Sequence, residues 1–468
     1  MNRLRVAVIG GGGAGLCAAR YMAARPDKFE PVVFEKAENV GGTWVYTEET
    51  GKDKYGYPIH SSMYSSLRTN LPKEVMAFPD FPFDSSLPSF IKHTDVLKYI
   101  EQYAQHFNLL KYIQFCKVVE LVRPISSADD TKHVSWEVTV RDVRNLKSES
   151  TTGKFDAVIV CNGHYAVPKI PTVPGLDTFS GEVLHSHEYR HPSVFNDQTV
   201  LVIGAGASGM DIALDISSKA KQIYISHWKP RIASTLPENI KEVQAVKAVS
   251  SSEAIFTDDT RVHIDAILFC TGYNYDFSFL HTECKVNVED GRVTPLYKHV
   301  LHSTFPSLSF IGITIRICPF PQFAAQCQFA LAALDGSMKL PSTIEMVANE
   351  AGDYQNRLDQ GLPHRYAHYM GIRQWDYNAD LLRQANLDQH APVVEKLYEA
   401  VAVQRKKNHH SHSEQAGIDS SHCARWASDM PLPRVSPPVV FIVLMSTCSI
   451  TKSDDSPAQY RQHFLESI

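Results

Sequence analysis

No two of the nine cysteines are spaced C-x-x-C or C-x(4)-C, so a redox dithiol and a zinc ribbon are both excluded. Their positions do not form a compact disulfide framework either, and reduced thiols in a cytoplasmic setting are the expectation. Long apolar runs are also missing. The longest, Val439 to Met445, is about a third of the roughly 20 residues that cross a bilayer. At the amino end only Val6 to Ile9 are continuously apolar before a glycine cluster, too few for the core of a signal peptide. No transmembrane span is expected. Neither charge is in large excess, with 46 Lys and Arg against 51 Asp and Glu and a net charge of -5. The basic residues are scattered, so nucleic acid is excluded as a partner.

What remains is an ordinary globular balance, 44% hydrophobic and 21% charged over 468 residues, enough for two or three domains. The chain opens with RVAVI, Arg5 to Ile9, running into Gly10, Gly12, Gly13 and Gly15 and then into the helical pattern AGLCAARYMAAR. Strand, glycine turn and helix in that order let the backbone approach a pyrophosphate at the positive end of the helix. A second strand, Pro31 to Phe34, ends at Glu35, where a carboxylate can accept both hydroxyls of a ribose. Without that context the glycines would be an ordinary turn. The arrangement recurs at Thr199 to Ile203, followed by Gly204, Gly206, Ser208 and Gly209, a helix and the strand QIYIS. The fold class read from this is α/β with two Rossmann-like dinucleotide-binding domains.

The second copy lacks the ribose acid. In its place stands HWKPR, and His227, Lys229 and Arg231 suit a 2′-phosphate, pointing to NADPH rather than NADH. The alternative is a solvated charged turn. FDAVIVCNG, ending at Gly163, and IDAILFCTG, ending at Gly272, echo each other and are expected where the last strand of each unit stops. Expected boundaries are 1–163 and 271–405 for the two parts of the first domain, 164–270 for the inserted second, and 406–468 for a poorly ordered Ser/His/Pro-rich tail. The stretch FSGEVLHSHEYRHP carries His185, His187 and His191. A zinc site there would need three or four ligands on a fixed frame. His185 and His187 are expected to alternate along an extended segment with no cysteine near, which disfavours metal.

Phe179, Gly181, His185 and Tyr189 stand in the order F-x-G-x-x-x-H-x-x-x-[F/Y], and by this motif the chain resembles the flavin-containing monooxygenases. VVFEKAENVGGTW, LRTNLPKE, FCTGYNYDF and PFPQFAAQ are similar to further stretches of that family along most of residues 1–400. Tyr189 stands where relatives with Baeyer–Villiger activity usually have tryptophan. The resemblance implies FAD on Gly10, Gly12, Gly13, Gly15, Glu35, Gly42, Thr43, Trp44, Asn70, Val118, Thr271, Gly272 and Gln326. It implies NADPH on Gly204, Gly206, Ser208, Gly209, His227, Lys229 and Arg231. The histidine-bearing stretch becomes a linker coupling the two sites.

The resemblance further implies that NADPH reduces FAD and that dioxygen adds at C4a. The hydroperoxide then oxygenates a soft nitrogen or sulfur of a small molecule, as in xenobiotic metabolism, with the Asn70 amide as the hydrogen-bonding catalytic group. The rival readings are an uncoupled NADPH oxidase releasing hydrogen peroxide and a nucleotide-binding sensor without turnover. Location is expected to be cytoplasmic, with peripheral attachment to the endoplasmic reticulum as the variant reading and a homodimer as a candidate assembly.

Overall fold

The computed structural model describes residues 3–126, 134–145, 149–232, 235–390 and 392–407. The first unit begins with β1 (Leu4–Ile9), α1 (Gly13–Ala23), β2 (Phe29–Phe34), β3 (Ile113–Gln114) and β4 (Ala157–Val160). Val6, Ala7 and Val8 are fully buried, because a parallel strand covered on both faces gains from apolar side chains at every position. β1 pairs with β2 and β4 in parallel, Val8 lying opposite Val33 and Ile159. The second unit holds β5 (Glu182–His185), β6 (Thr199–Ile203), α2 (Ala207–Ile216), β7 (Gln222–Ser226), β8 (Ile240–Val243) and β9 (Ala266–Phe269). It is a parallel five-stranded sheet ordered β8-β7-β6-β9-β5.

The chain then returns to the first sheet through β10 (Leu296–Tyr297), β11 (Leu301–His302) and β12 (Leu308–Phe310), completing the order β10-β11-β12-β4-β1-β2-β3. The architecture is therefore α/β with two Rossmann-like domains, the second inserted in the first. Helix α3 (Pro319–Leu334) packs on α1, and small residues such as Ala18, Ala324 and Ala325 let the two approach closely. Phe78, Tyr103 and Phe320 stack beneath them.

Three details differ from the expectations. β2 starts at Phe29 rather than Pro31. The echoed strand β9 is the last of its sheet in chain order, as expected, but β4 is not: it pairs with β1 at the centre of the first sheet, and β10, β11 and β12 follow it. Residues 406 and 407 close the helix Pro392–Lys407, and the rest of the expected tail, 408–468, lies outside the described residues. No helix among the described residues is long and apolar enough to cross a membrane.

Candidate active site where the two nucleotide units meet

The first glycine turn is shaped by contact with its own backbone. Gly10 has φ +108°, and a Cβ there would lie 2.5 Å from the Cys161 carbonyl oxygen. At Gly15 a Cβ would fall 1.8 Å from the Gly10 carbonyl oxygen, so no larger residue can stand there. α1 starts at Gly13 with Gly12 as an N-cap that offers no side chain, leaving its first amides free for an anion. Glu35 accepts hydrogen bonds from the Gly11 and Ala37 amides at 2.6 and 2.7 Å. Burial pushes its carboxyl above the ordinary range, against the pull of those two donors. The turn Gly42–Trp44 lies against Gly12, and the Thr43 Oγ1 is buried without a hydrogen-bond partner among the described residues. Lys117, the residue before Val118, donates its amide to the Glu35 main-chain carbonyl at 2.8 Å. Vacant helix amides, a buried acceptor carboxylate and an orphaned hydroxyl make a set of donors and acceptors that fits FAD.

The second turn repeats this geometry: Gly204 has φ +109°, and a Cβ on Gly209 would lie 1.8 Å from the Gly204 carbonyl oxygen. Gly206, by contrast, has no protein atom within 4 Å of a Cβ, and Ser208 is exposed in the first turn of α2. His227, Lys229 and Arg231 line a pocket of about 350 Å³ with Glu242, Gln244, Asp258 and Thr260. Glu242 comes from β8, which the sequence pattern did not connect to this place. It lies 3.0 Å from His227 Nε2 and 3.9 Å from Arg231 Nε, so the cluster is less purely cationic than HWKPR alone suggests.

Between the units the chain passes twice, and the two passages pair with each other: Val167–Pro168 lies antiparallel to Tyr273–Asn274. The Lys169 amide donates to the Gly272 carbonyl at 2.9 Å, and Thr271 Oγ1 donates to the Lys169 carbonyl at 2.5 Å. Asn162 Nδ2 reaches the Asp276 carbonyl at 2.8 Å, and His164 Nδ1 bonds the Gly312 carbonyl at 2.9 Å. Gln326 is fully buried and uses its amide on protein groups. Its oxygen accepts from the Gly312 amide at 2.9 Å and its nitrogen donates to Tyr377 Oη at 3.0 Å. Tyr377 in turn donates to the Lys298 carbonyl at 2.7 Å.

The linker motif is placed by packing. A Cβ on Gly181 would lie 2.1 Å from the Asp265 carbonyl oxygen. Tyr189 is fully buried, packs on Tyr64 and Phe195 and donates to Asp215 at 2.5 Å. His185 ends β5, but His187 does not continue the strand: it lies in the turn closed by the Glu188 amide on the His185 carbonyl, with its Nε2 on the Ile59 carbonyl at 3.0 Å. His191 faces Ser65 at 2.8 Å and Glu48 at 2.5 Å instead. The ring nitrogens thus meet different groups, although His185 and His187 both stand edge-on to Tyr273, and the described residues hold no group of three metal donors. Burial lowers His60, His164 and His185 to about 4, which leaves the passage lined by neutral rings at neutral pH.

Arg190, missed by the motif reading, is buried at 5% exposure. Its guanidinium donates to the carbonyls of Thr47 at 2.7 Å and Glu49 and Ser61 at 3.2 Å in the first unit, and to those of His187 and Tyr189 beside it. Asn70 is exposed, in a segment fixed on both sides by Thr69 N–H to the Ile91 carbonyl at 2.8 Å and Lys73 N–H to the Ser89 carbonyl at 2.7 Å. Lys73 and Glu74 themselves form a buried ion pair at 2.7 Å.

Two cradles for dinucleotides facing one passage define a flavoprotein oxidoreductase that uses FAD and NADPH. The family model described as "Flavin-binding monooxygenase-like" matches residues 3–235 and 231–381, and the chain belongs to that family, as a monooxygenase. It is 36% identical over 444 residues to the Arabidopsis thaliana flavin-containing monooxygenase FMO GS-OX-like 4, covering 90% of this chain and 96% of that one. Identity to FMO GS-OX5 of the same plant is 41% over 396 residues, covering 81% and 84%. Among solved structures, the S-allyl-L-cysteine S-oxygenase of Allium sativum matches with TM-score 0.81 and 34% identity, covering 91% of this chain and 98% of that one.

Proposed function

We propose that the protein oxygenates soft nucleophilic nitrogen or sulfur atoms of small molecules, converting amines or thioethers to N-oxides or S-oxides. One oxygen atom goes to the substrate and the other to water, with the electron pair drawn from NADPH. The observation that carries this reading is the paired passage at Pro168 and Tyr273, beside which the carboxyl ends of β4 and β9 and both glycine turns are gathered. Similarity to an S-oxygenase supports it. Bound FAD supplies the activation of dioxygen. No protein nucleophile is required for such a transfer.

The residues of this chain bind, orient and exclude. Gly10, Gly12, Gly13 and Gly15 receive one pyrophosphate and Gly204, Gly206, Ser208 and Gly209 the other. Glu35 takes the ribose hydroxyls, Lys229 and Arg231 the 2′-phosphate, and the Asn70 amide orients the reacting groups, since an amide donates and accepts in one plane. Gln326 acts through Gly312 rather than on the cofactor. The boundaries 1–163, 164–270 and 271–405 belong to the same proposal.

The deciding experiment compares oxygenated product with hydrogen peroxide per NADPH consumed, for a thioether and a tertiary amine. Product matching NADPH supports the reading. Peroxide matching NADPH with both substrates identifies an uncoupled oxidase and sinks it. Asn70→Ala is expected to keep its yellow flavin and lose most of the oxygenated product.

A further inference from the structure

Residues 312–318, between β12 and α3, are fastened along almost their whole length. The Gly312 amide and carbonyl are held by Gln326 and His164. Tyr275 donates to the Ile313 carbonyl at 2.5 Å, and Thr314 bonds Gln322. Ile315 donates to the His368 carbonyl and accepts from the Met370 amide, both at 3.0 Å, while the Arg316 carbonyl accepts from the Gly371 amide at 3.0 Å. The Cys318 amide donates to Gln374 at 2.6 Å.

Within this fixed loop Arg316 has φ +58°, a region that disfavours side chains with a Cβ. Strain kept in place by so many bonds is a mark of function. Its side chain is exposed, and among the described residues no carboxylate stands within ion-pair distance of it. The neighbouring cations differ: Arg292 is paired with Glu350, and Arg357 and Arg373 with Asp353.

The loop also has a definite place. At its end, Phe320 closes on Gly13 of the first cradle, 2.9 Å from a Cβ there. At its start, Gly312 is tied to His164 at the passage between the units. Tyr165, next in the chain, is 46% exposed and stands edge-on to His164 and Tyr273. The loop that carries this unneutralised guanidinium and the exposed Tyr165 ring thus both adjoin the passage, the one through Gly312 and the other through His164.

We propose that Arg316 is a specificity-determining anion anchor, holding the carboxylate or sulfate of a substrate whose thioether or amine is oxygenated. A guanidinium on a rigid backbone receives such a group in fork geometry. The inference rests on the proposed function and narrows its substrates to anionic ones.

The test uses FAD-loaded enzyme and two probes with the same sulfur, 3-(methylthio)propanoate and 3-(methylthio)propanamide. In Arg316→Gln the ratio of kcat/KM for acid over amide should fall by about tenfold or more, the loss of a charged hydrogen bond. Arg316→Lys should recover part of it. An unchanged ratio overturns the anchor, as does a defect confined to the NADPH KM or to flavin retention, which would assign the charge to a cofactor phosphate. Binding is also read without turnover, by flavin fluorescence in the NADP⁺-loaded enzyme. Wild-type protein that binds the acid more tightly than the amide yet forms no sulfoxide supports the anchor and sinks the oxygenation reading. Equal binding of both overturns the anchor.

Discussion

Gly206 and Gly209 sit three residues apart in the same turn, yet the space around them predicts opposite results. Gly209→Ala drives a methyl into the Gly204 carbonyl oxygen and is expected to destabilise the protein by about 1–3 kcal/mol in urea unfolding. Gly206→Ala meets no protein atom at an ordinary backbone angle, so the fold should keep its stability. The KM for NADPH should nevertheless rise by about tenfold, since each such factor is only about 1.4 kcal/mol of contact with the pyrophosphate. Glu35 gives a prediction in pH. Its carboxyl is raised by burial, and the ribose hydroxyls need the ionised form as acceptor. FAD affinity should be complete above that raised pKa and decline as pH falls through it, while Glu35→Gln flattens the profile, as read by flavin release on a desalting column.

Among the elements, the loop after β7 carries Lys229 and Arg231 on a pocket wall. Replacing both with alanine should raise the KM for NADPH about tenfold or more while leaving that for NADH nearly alone, a difference of one phosphate contact. At α3, Gln326→Leu removes the acceptor of the Gly312 amide. An unpaired buried amide costs about 1–3 kcal/mol, to be read as a lowered urea midpoint. What the sequence disclosed follows the same line. The strand–turn–helix units are local patterns, and Gly10, Gly15, Gly204 and Gly209 meet the turn itself or the end of the adjoining strand, so both cradles were legible. Gln326 and Tyr377 are 51 residues apart, Glu242 arrives from another strand, and the left-handed angle at Arg316 has no signature in ITIRIC. These depend on tertiary placement and could not be read in advance. His187 was misplaced because a turn closed by main-chain bonds leaves the spacing of side chains unchanged.

For the whole molecule, Arg190 ties the inserted unit to the first one through the carbonyls of Thr47, Glu49 and Ser61. A lysine has three donors on a flexible stem and cannot serve carbonyls spread over five residues. Arg190→Lys should therefore lower stability by about 2–4 kcal/mol through lost charged hydrogen bonds and lower the rate of flavin reduction by NADPH, seen as slower bleaching of the yellow colour. The membrane side is simple: the described helices are too short or too polar to span a bilayer.

All seven cysteines among the described residues are free and buried, and burial pushes the Cys270 thiol up to about 12 and Cys284 up to about 11. An enzyme that handles oxygen thus keeps these seven thiols protonated and out of reach. Each is silent in the native state and speaks only when its own neighbourhood opens. Mapping alkylation site by site would give an internal clock for the order in which the two sheets come apart.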